Sequence, residues 1–172
     1  GFRFFVAHCH EDVNKVRPTV QKQFSTQMQE YLRQKRQDEK VYDAVSVLTT
    51  MTPNVAFGTV PSSDRMFFLG FSNVLRQPEF SSQPDIASGV FRVLEQNFQT
   101  VLESLDVPEG SDPQIFIGSE NVIAEIQSCS LIVSRFRAGK RAGFLGILGP
   151  IRMDYAHNIV AVESAHRFLS NA

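Results

Sequence analysis

The sequence predicts an α+β fold in which a mostly antiparallel sheet is flanked by helices and preceded by an N-terminal helical segment. Apolar residues make up 42% and charged residues 20% of the 172 residues, which is typical of a globular chain with one core. Amphipathic stripes of helical period alternate irregularly with short apolar runs bounded by Pro, Ser, Asp and Gly. This order lacks the regular strand and helix alternation of a doubly wound parallel sheet.

Two helices are predicted ahead of any strand, after an opening GFRFFV run with the composition of a strand. From Val13 to Leu32 apolar residues recur every three or four positions, which indicates one face of a helix. Because proline cannot donate a backbone hydrogen bond, we expect the regular helix to begin at Pro18. A second stripe over residues 41 to 48 predicts another helix that ends near Pro53.

The middle of the chain predicts two strands and a long helix. NVAFGTV at 54 to 60 and MFFLGF at 66 to 71 are short apolar runs joined by a PSSDR turn, which indicates adjacent strands. Residues 86 to 105 place their apolar side chains on one side of a single helix, closed by Pro108 and Gly110.

The last third predicts three strands and a closing helix. The strands cover QIFIG at 114 to 118, LIVSRF at 131 to 136 and GFLGILG at 143 to 149. The second and third form a hairpin around residues 138 to 140, Ala-Gly-Lys. Since proline presets φ for a first helical turn, we expect Pro150 to start the final helix.

Composition narrows the cellular setting and the partners. The 17 Lys and Arg against 18 Asp and Glu give a net charge of −1, so this polypeptide alone should bind nucleic acid poorly. Two cysteines favour a reducing cytoplasm over a disulfide scaffold, and no run approaches the roughly 20 apolar residues that span a bilayer. We expect a cytoplasmic protein without membrane partners. The opening without Met suggests that Gly1 is an internal residue of a longer protein.

Candidate reactive groups do not assemble into a catalytic pattern. Residues 8 to 10, His-Cys-His, have metal-binding chemistry, but neighbours on a strand point to opposite faces, and we expect a solvated linker. Cys129 with His157 or His166 has no motif to fix a nucleophile pair. The glycines at 143 to 149 lack the order of dinucleotide or phosphate loops. We therefore expect no enzyme, no metal and no cofactor.

Two surface features leave alternatives open. Arg135, Arg137, Lys140 and Arg141 concentrate positive charge at a hairpin that could contact DNA phosphates, although the balanced total charge favours a solvated tip. The stripe from 13 to 32 could form an intermolecular helix pair or pack on its own sheet.

Three blocks of sequence carry a resemblance to a known family. They are GILGPIRMDYAHNIVAV at 146 to 162, GFSNVLRQPEF at 70 to 80 and IGSEN at 117 to 121. In this order they resemble the GPTRMDY signature, the Gly-Leu-Ser-Asn-Leu-Leu-x-Gln-Pro-Glu-Phe block and the Ile-Gly-x-Glu-Asn segment of HrcA-type heat-inducible transcription repressors. The opening GFRFFVAH resembles the segment that follows the winged-helix domain in that family.

The residues of these blocks, called the motif residues below, are expected to be architectural, with no catalytic role. They are Gly70, Ser72, Asn73, Gln77, Pro78, Glu79, Phe80, Gly118, Glu120, Asn121, Gly149, Pro150, Arg152, Met153, Asp154 and Tyr155. We expect Arg152 to pair with a carboxylate such as Glu79, and Asp154 to lie at the positive end of the final helix.

The resemblance implies a regulatory and dimerising part of a repressor of chaperone genes. Residues 1 to 37 would be a linker and N-terminal helix after a winged-helix domain, and residues 38 to 172 a GAF-like regulatory domain. Only PSSDRMFFL separates the TPNVAFGTV strand from the block at Gly70, where the family has a long stretch with an inserted segment implicated in dimerisation. The domain would therefore be pared down.

The resemblance also implies partners. They are a second copy of the chain, the chaperonin GroEL, and an inverted-repeat operator contacted only through the winged-helix domain. The alternative function is a small-molecule sensor, since GAF-like folds commonly hold ligands between sheet and helices. Phe67, Phe68 and Phe116 could line such a cavity, although we favour a dry, filled core there.

Overall fold

The computed structural model describes residues 2–31 and 35–170. Residues 1, 32 to 34, 171 and 172 lie outside the described residues. Leu32, at which the N-terminal helix was predicted to end, is one of them. The described part contains α1 (Phe2–Ala7), α2 (His10–Met28), α3 (Gln37–Met51), β1 (Val55–Thr59), β2 (Met66–Leu69), α4 (Phe71–Leu75), α5 (Pro78–Ser81), α6 (Pro84–Gln96), α7 (Phe98–Ser104), β3 (Gly110–Ile117), β4 (Cys129–Ala138), β5 (Arg141–Pro150) and α8 (Tyr155–Ser170). Short 3-10 turns cover Gln29–Tyr31, Gly118–Glu120 and Ala124–Ile126.

The five strands form one antiparallel sheet in the order β2-β1-β5-β4-β3. The hairpin of β4 and β5 is its centre, and its register runs from Cys129 opposite Pro150 to Ala138 opposite Arg141. Gly139 has φ +66° and Lys140 does not have a positive φ, which is the pattern of a type II′ turn. The predicted hairpin is confirmed.

Helices cover both faces of the sheet. Side chains alternate along the strands, so on β4 Ile132 and Phe136 face one helical layer while Leu131 and Val133 face the other. The first layer consists of α1, α2, α3 and α8, and the second of α4 to α7. The predicted α+β class, with an antiparallel sheet flanked by helices, is confirmed.

The N-terminal segment differs from the prediction in two ways. Its opening run forms α1 and not a strand, because the helix buries Val6 against the first layer, and packing overrides local strand propensity. The second helix begins at His10 and continues through Pro18. Proline removes one internal hydrogen bond, but burial of Val20 and Phe24 on the same helix holds the chain in place. The amphipathic stripe thus packs within its own chain.

The middle and the end of the chain also contain corrections. The helix predicted for 86 to 105 is broken at Asn97, whose φ of −136° lies outside the helical range, so that Phe98 can turn into the core. The short helices α4 and α5 were not predicted. Pro150 is the last residue of β5 and does not start the final helix, which begins at Tyr155.

Candidate functional site at a strand-to-helix corner

Between β5 and α8 the chain forms a corner, which an ion pair connects to α5. Arg152 Nε lies 2.7 Å from Glu79 Oε2, and Arg152 Nη2 donates to Glu79 Oε1 at 2.9 Å. Gln77 accepts a weaker bond from Arg152 at 3.4 Å and donates to the carbonyl of Pro53 at 3.1 Å. The predicted pair of Arg152 and Glu79 is confirmed, and it connects the QPEF block with the GPIRMDY block.

Asn54, just ahead of β1, is the centre of this corner. Its side chain is only 1% exposed and lies against Gly149, where an added Cβ would be 2.0 Å from Asn54 Oδ1. Its carbonyl lies against Gly70, where a Cβ would be 2.5 Å from that oxygen and where φ is +93°. The two motif glycines are therefore required because Asn54 occupies the space of their missing side chains.

A cavity of about 440 Å³ opens beside Asn54. Asn158 and His157 of α8 line it from the other side, with Met51 and Met153 among its apolar walls. His157 Nε2 lies 2.8 Å from the carbonyl of Met51. Both amide atoms of Asn54 and Oδ1 of Asn158 are buried and have no hydrogen-bond partner among the described residues. Such an orphaned buried group costs about 1–3 kcal/mol, so these two amides lower the stability of the corner.

The corner itself is a turn and not the first turn of a helix, so Arg152 and Asp154 lie ahead of α8 and not inside it. The N–H of Met153 donates to the carbonyl of Pro150 at 3.2 Å, which closes the turn. Asp154 Oδ1 accepts the backbone N–H of His157 at 3.2 Å, the bond of an N-capping side chain. Asp154 thus lies at the positive end of the helix, as predicted, and it is the N-cap residue.

Tyr155 connects the corner with β4, and Gly118 connects it with the IGSEN block. The Tyr155 hydroxyl lies 2.8 Å from Ser130 Oγ on β4 and also donates to the carbonyl of Ile151. Burial raises the pKa of Tyr155 above its usual value, so the phenol stays protonated. Gly118 has φ +58°, and a Cβ there would lie 3.2 Å from Ile151 Cδ1. The third motif block is therefore in contact with the first.

Asn121 and Glu120 hold the loop that follows β3. Asn121 Nδ2 is 3.0 Å from the carbonyl of Gly118 and 3.2 Å from that of Cys129, and its residue is 2% exposed. Glu120 forms an ion pair with Arg3 of α1, and this hydrogen bond holds the pKa of Glu120 below its usual value. The block joins the N-terminal helix to the edge of the sheet.

The remaining motif residues play separate architectural parts. Asn73 donates to the carbonyl of Thr49 at 3.2 Å, and Pro78 lies in the first turn of α5. Phe80 is buried in the second layer and Met153 beside Gly149, whereas the Ser72 side chain is exposed. A functional role for these residues beyond such contacts stays a prediction.

The basic hairpin is less positive than its sequence suggests. Arg137 makes two hydrogen bonds to Glu109, at 2.8 and 2.9 Å, and Arg135 lies over the ring of Phe144. Lys140 and Arg141 are exposed at the tip and form no ion pair with any of the described residues. Of the four positive charges, only that of Arg137 is paired with a carboxylate among the described residues.

The predicted solvated linker at residues 8 to 10 is wrong for its central residue. Cys9 is buried at the junction of α1 and α2, with Sγ 3.0 Å from the carbonyl of Val6. His8 stacks on Phe4 at the surface, and His10 is exposed at the start of α2. Across the described ranges, no group of three or more His, Cys, Asp or Glu side chains could hold a metal ion.

Cys129 cannot meet either histidine, because the sheet separates them. Its side chain lies in the second layer, whereas His157 and His166 belong to α8 in the first layer. Burial raises the pKa of the Cys129 thiol to about 11, which disfavours the reactive thiolate.

The three phenylalanines proposed for a ligand cavity do not share one. Phe67 lies on the first-layer face against Tyr42, whereas Phe68 and Phe116 pack on the opposite face. Phe68 is in contact with Phe98, with ring centroids 5.9 Å apart. Phe67 therefore shares no cavity with Phe68 and Phe116, and the polar cavity lies at the corner beside Asn54.

Sequence reasoning missed two residues of the site, Asn54 and Asn158. Asn54 belongs to the TPN sequence ahead of β1, and its polar side chain at the head of an apolar strand was an available signal. Asn158 lies within an apolar stretch of α8, where an amide is equally unusual.

The antiparallel sheet, its two helical layers and the ion-paired corner define an α+β domain. A family model, the HrcA protein C-terminal domain, matches residues 11–159. The chain therefore belongs to the HrcA family.

Curated relatives agree with this assignment. The heat-inducible transcription repressor HrcA of Nostoc punctiforme is 34% identical over 143 residues, which cover 80% of this chain and 36% of the relative. That of Trichormus variabilis is 35% identical over 118 residues, 65% of this chain and 32% of the relative. The chain thus spans about a third of the length of these relatives.

A solved structure supports the fold. A crystal structure of a hypothetical protein superposes with a TM-score of 0.67 at 11% identity, over 86% of this chain and 73% of that chain. Among the helices that the structure describes, none combines the length and the apolar character that a membrane crossing needs.

Proposed function

We propose that this chain is the regulatory and dimerising portion of a heat-inducible repressor of chaperone genes. The match of residues 11–159 to the HrcA C-terminal domain, which includes the GPIRMDY corner, carries this proposal. The relatives named above are heat-inducible transcription repressors about three times as long as the aligned part. The function of the whole protein would therefore need sequence beyond the matched part, and we propose a cytoplasmic location for it.

Operator binding is proposed to come from a winged-helix domain outside this chain. The net charge of −1 provides no general attraction for a polyanion, and the pairing of Arg137 with Glu109 reduces the charge of the basic hairpin. Lys140 and Arg141 at the exposed tip could add only sequence-independent phosphate contacts.

Dimerisation is proposed because an inverted-repeat operator is matched by a two-fold symmetric protein. The described surface exposes large apolar side chains at Phe4, Tyr42, Leu75 and Val122, which are candidates for substitution in mapping the interface. GroEL is proposed as a further partner that keeps the repressor active until heat diverts it to unfolded clients.

The experiment compares this chain with a fusion that carries, at its N-terminus, the proposed winged-helix domain taken from the unmatched part of the Nostoc punctiforme relative. In light scattering both should have the mass of a dimer, and only the fusion should shift an inverted-repeat operator in a gel. Adding GroEL to the fusion should increase the shifted fraction, and adding unfolded client protein should reverse that increase.

Two results would contradict the proposal. A strictly monomeric chain at all concentrations would remove the dimerising role. A fusion that binds a single half-site as tightly as the inverted repeat would show that the domain does not hold two DNA-binding heads together.

A further inference from the structure

We propose that the β2 edge of the sheet is the surface at which a second copy of this chain binds, with the β2 strands of the two copies paired antiparallel. The sheet has two edge strands, β2 and β3. An edge strand presents a row of N–H and C=O groups with which a strand of another chain can pair. This inference rests on the dimerisation proposed above and names the surface that forms the dimer.

The β3 edge is closed by its own chain. Pro113 has no N–H to donate, and a register shift interrupts the first half of the strand. In the second half, Arg3 of α1 donates to the carbonyl of Ile115. The N–H of Ile117 donates to Glu120 Oε1 at 2.7 Å. A partner strand would therefore find few free groups along β3.

The β2 edge leaves its outward groups free. The N–H of Val60 donates to the carbonyl of Arg65 at 2.9 Å, within the same register that pairs β1 with β2. Because bonding alternates along an antiparallel pair, the main-chain groups of Phe67 also point toward β1, and those of Met66 and Phe68 point away from the sheet. None of the described residues forms a hydrogen bond with these outward groups.

Apolar side chains flank the open edge on both faces of the sheet. All residues of β2 are half-buried. On the first-layer face, Phe67 is in contact with Tyr42, which is 45% exposed. On the second-layer face, Met66 and Phe68 lie beside the half-buried Phe71. A strand added at this edge would remove apolar surface from water on both sides, which favours its binding.

The sequence of β2 is complementary to itself. When Phe67 lies opposite the partner's Phe67, Met66 of each copy lies opposite Phe68 of the other. The outward groups then meet, and each such pair exchanges two hydrogen bonds. At about 3.3 Å per residue, Arg65 and the partner's Arg65 are roughly 13 Å apart along the strands, so like charges do not oppose each other.

A second copy also closes the assembly. Two paired β2 strands join the two sheets into one, and both outer edges of the joined sheet are then closed β3 strands. Any other single strand bound at β2 would present a new open edge of its own. A two-fold pair is therefore the occupant that leaves no edge open, and growth stops at two chains.

Amide hydrogen exchange tests the pairing without any substitution. The ¹⁵N-labelled chain is followed by NMR over a series of concentrations, with its mass measured by light scattering. As the dimer forms, the N–H groups of Met66 and Phe68 should exchange at least ten times more slowly. The N–H of Phe67, which is bonded to β1 in both states, should not change. Equal protection of Met66 and Phe68 in monomer and dimer would overturn the proposal.

Met66→Pro removes one outward donor, and Met66→Ala is its matched control because it shortens the same side chain and keeps the N–H. Met66 is the first residue of an edge strand, a position that tolerates proline. The dissociation constant of the dimer, measured by analytical ultracentrifugation, should be at least ten times higher for the proline variant than for the alanine variant. Equal constants would overturn the proposal.

A pair of charged variants tests the register and does not depend on proline. Phe67→Glu and Phe67→Lys each place like charges directly opposite one another in the paired strands, so each variant alone should be monomeric. An equimolar mixture of the two should form a dimer again. Circular dichroism spectra equal to that of the original chain establish that both variants are folded. Single variants that remain dimeric, or a mixture that remains monomeric, would overturn the pairing.

Failure of this interface is distinguishable from failure of the proposed function. A chain that is dimeric while the Met66 and Phe67 variants keep its dissociation constant would overturn the β2 interface alone. A chain that is monomeric at all concentrations would contradict the dimerising function and this interface together.

Discussion

Buried amides and an imidazole fix the local geometry of this domain one residue at a time. Asn121 places its Nδ2 among the carbonyls of the loop after β3, where no other described donor reaches so many of them. Asn54 does the opposite, because it is held rigidly with its amide unpaired. The same residue type therefore stabilises one loop and remains buried without a hydrogen-bond partner at the corner.

Asn121→Asp should destabilise the fold. The change keeps the size of the side chain but places an acceptor where the carbonyls of Gly118 and Cys129 need a donor. We expect the free energy of unfolding, measured by urea denaturation, to fall by about 2–3 kcal/mol. Asn97→Asp at the exposed position should change it by less than about 0.5 kcal/mol. Equal effects of the two substitutions would contradict this role of Asn121.

His166 predicts a pH dependence of stability. Its Nδ1 lies 2.7 Å from Ser134 Oγ and its Nε2 lies 3.2 Å from Ser170 Oγ. Burial, with a smaller contribution from the neighbouring Arg167, lowers the pKa of His166 below its usual 6.5. The folded state therefore binds this proton less readily than the unfolded state does.

Thermal unfolding should consequently shift to lower temperature as pH falls from about 6.5 through the folded-state pKa of His166, whereas above 6.5 this contribution is constant. His166→Gln, which cannot charge, should flatten the curve in this window. The lowered pKa of Glu120 acts only at lower pH, below its usual 4.5, so the two effects are separable. A variant with the same slope as the original protein would refute the assignment.

At the scale of elements, the sequence pattern predicted those helices, strands and turns that have a regular apolar period or characteristic turn residues. The helix α3, the strands β1 and β2, and the hairpin around Gly139 were all predicted. The short helices α4 and α5 span only five and four residues, which is too short for a helical period to emerge. Burial in the tertiary structure explains why α2 continues through Pro18 and why the predicted helix breaks at Asn97. Local helix propensity contains no information about this burial.

The site was predictable only in part for a similar reason. The pairing of Arg152 with Glu79 followed from their charges and their motif blocks. The clash between a side chain at Gly149 and Asn54 depends on the strand order, which places the start of β1 beside the end of β5. The cavity forms between segments that are about 100 residues apart in the chain, and no local pattern encodes it.

The start of α8 provides a test of its cap. Asp154→Ala removes the acceptor of the His157 N–H and should lower the free energy of unfolding by about 1 kcal/mol. Asp154→Asn is the matched control, because asparagine caps about as well without the charge. Chemical denaturation of the two variants should differ accordingly, and equal losses would show that charge matters more than the capping bond.

The central strand β5 predicts a strong contrast between two glycines. A Cβ at Gly146 would lie 2.0 Å from the backbone oxygen of Ile132 and 2.8 Å from Phe57 Cζ. Because backbone cannot yield easily, Gly146→Ala should cost about 3 kcal/mol of stability. Gly89→Ala on α6 meets only ordinary contacts at 3.6 Å and should stabilise by about 0.5–1 kcal/mol. Calorimetry of both variants checks the opposite signs.

At the scale of the whole molecule, one sheet supports two cores that come from different parts of the chain. The first layer combines α1 to α3 with α8, and Arg17 of α2 forms an ion pair with Glu163 of α8 across it. The second layer comes entirely from α4 to α7 and the loops around them. The division of the chain at residue 37 stays a prediction, although α2 contributes Val20 and Phe24 to the same core as α8.

Each of the two cores happens to contain one of the two cysteines. Cys9 is buried with the first layer and Cys129 with the second, 4% and 0% exposed. The accessibility of each thiol therefore indicates whether the core that contains it has opened. If warming loosens one layer before the other, a thiol-reactive reagent followed by peptide mass spectrometry should label that cysteine first, and simultaneous labelling would show that the two halves melt together.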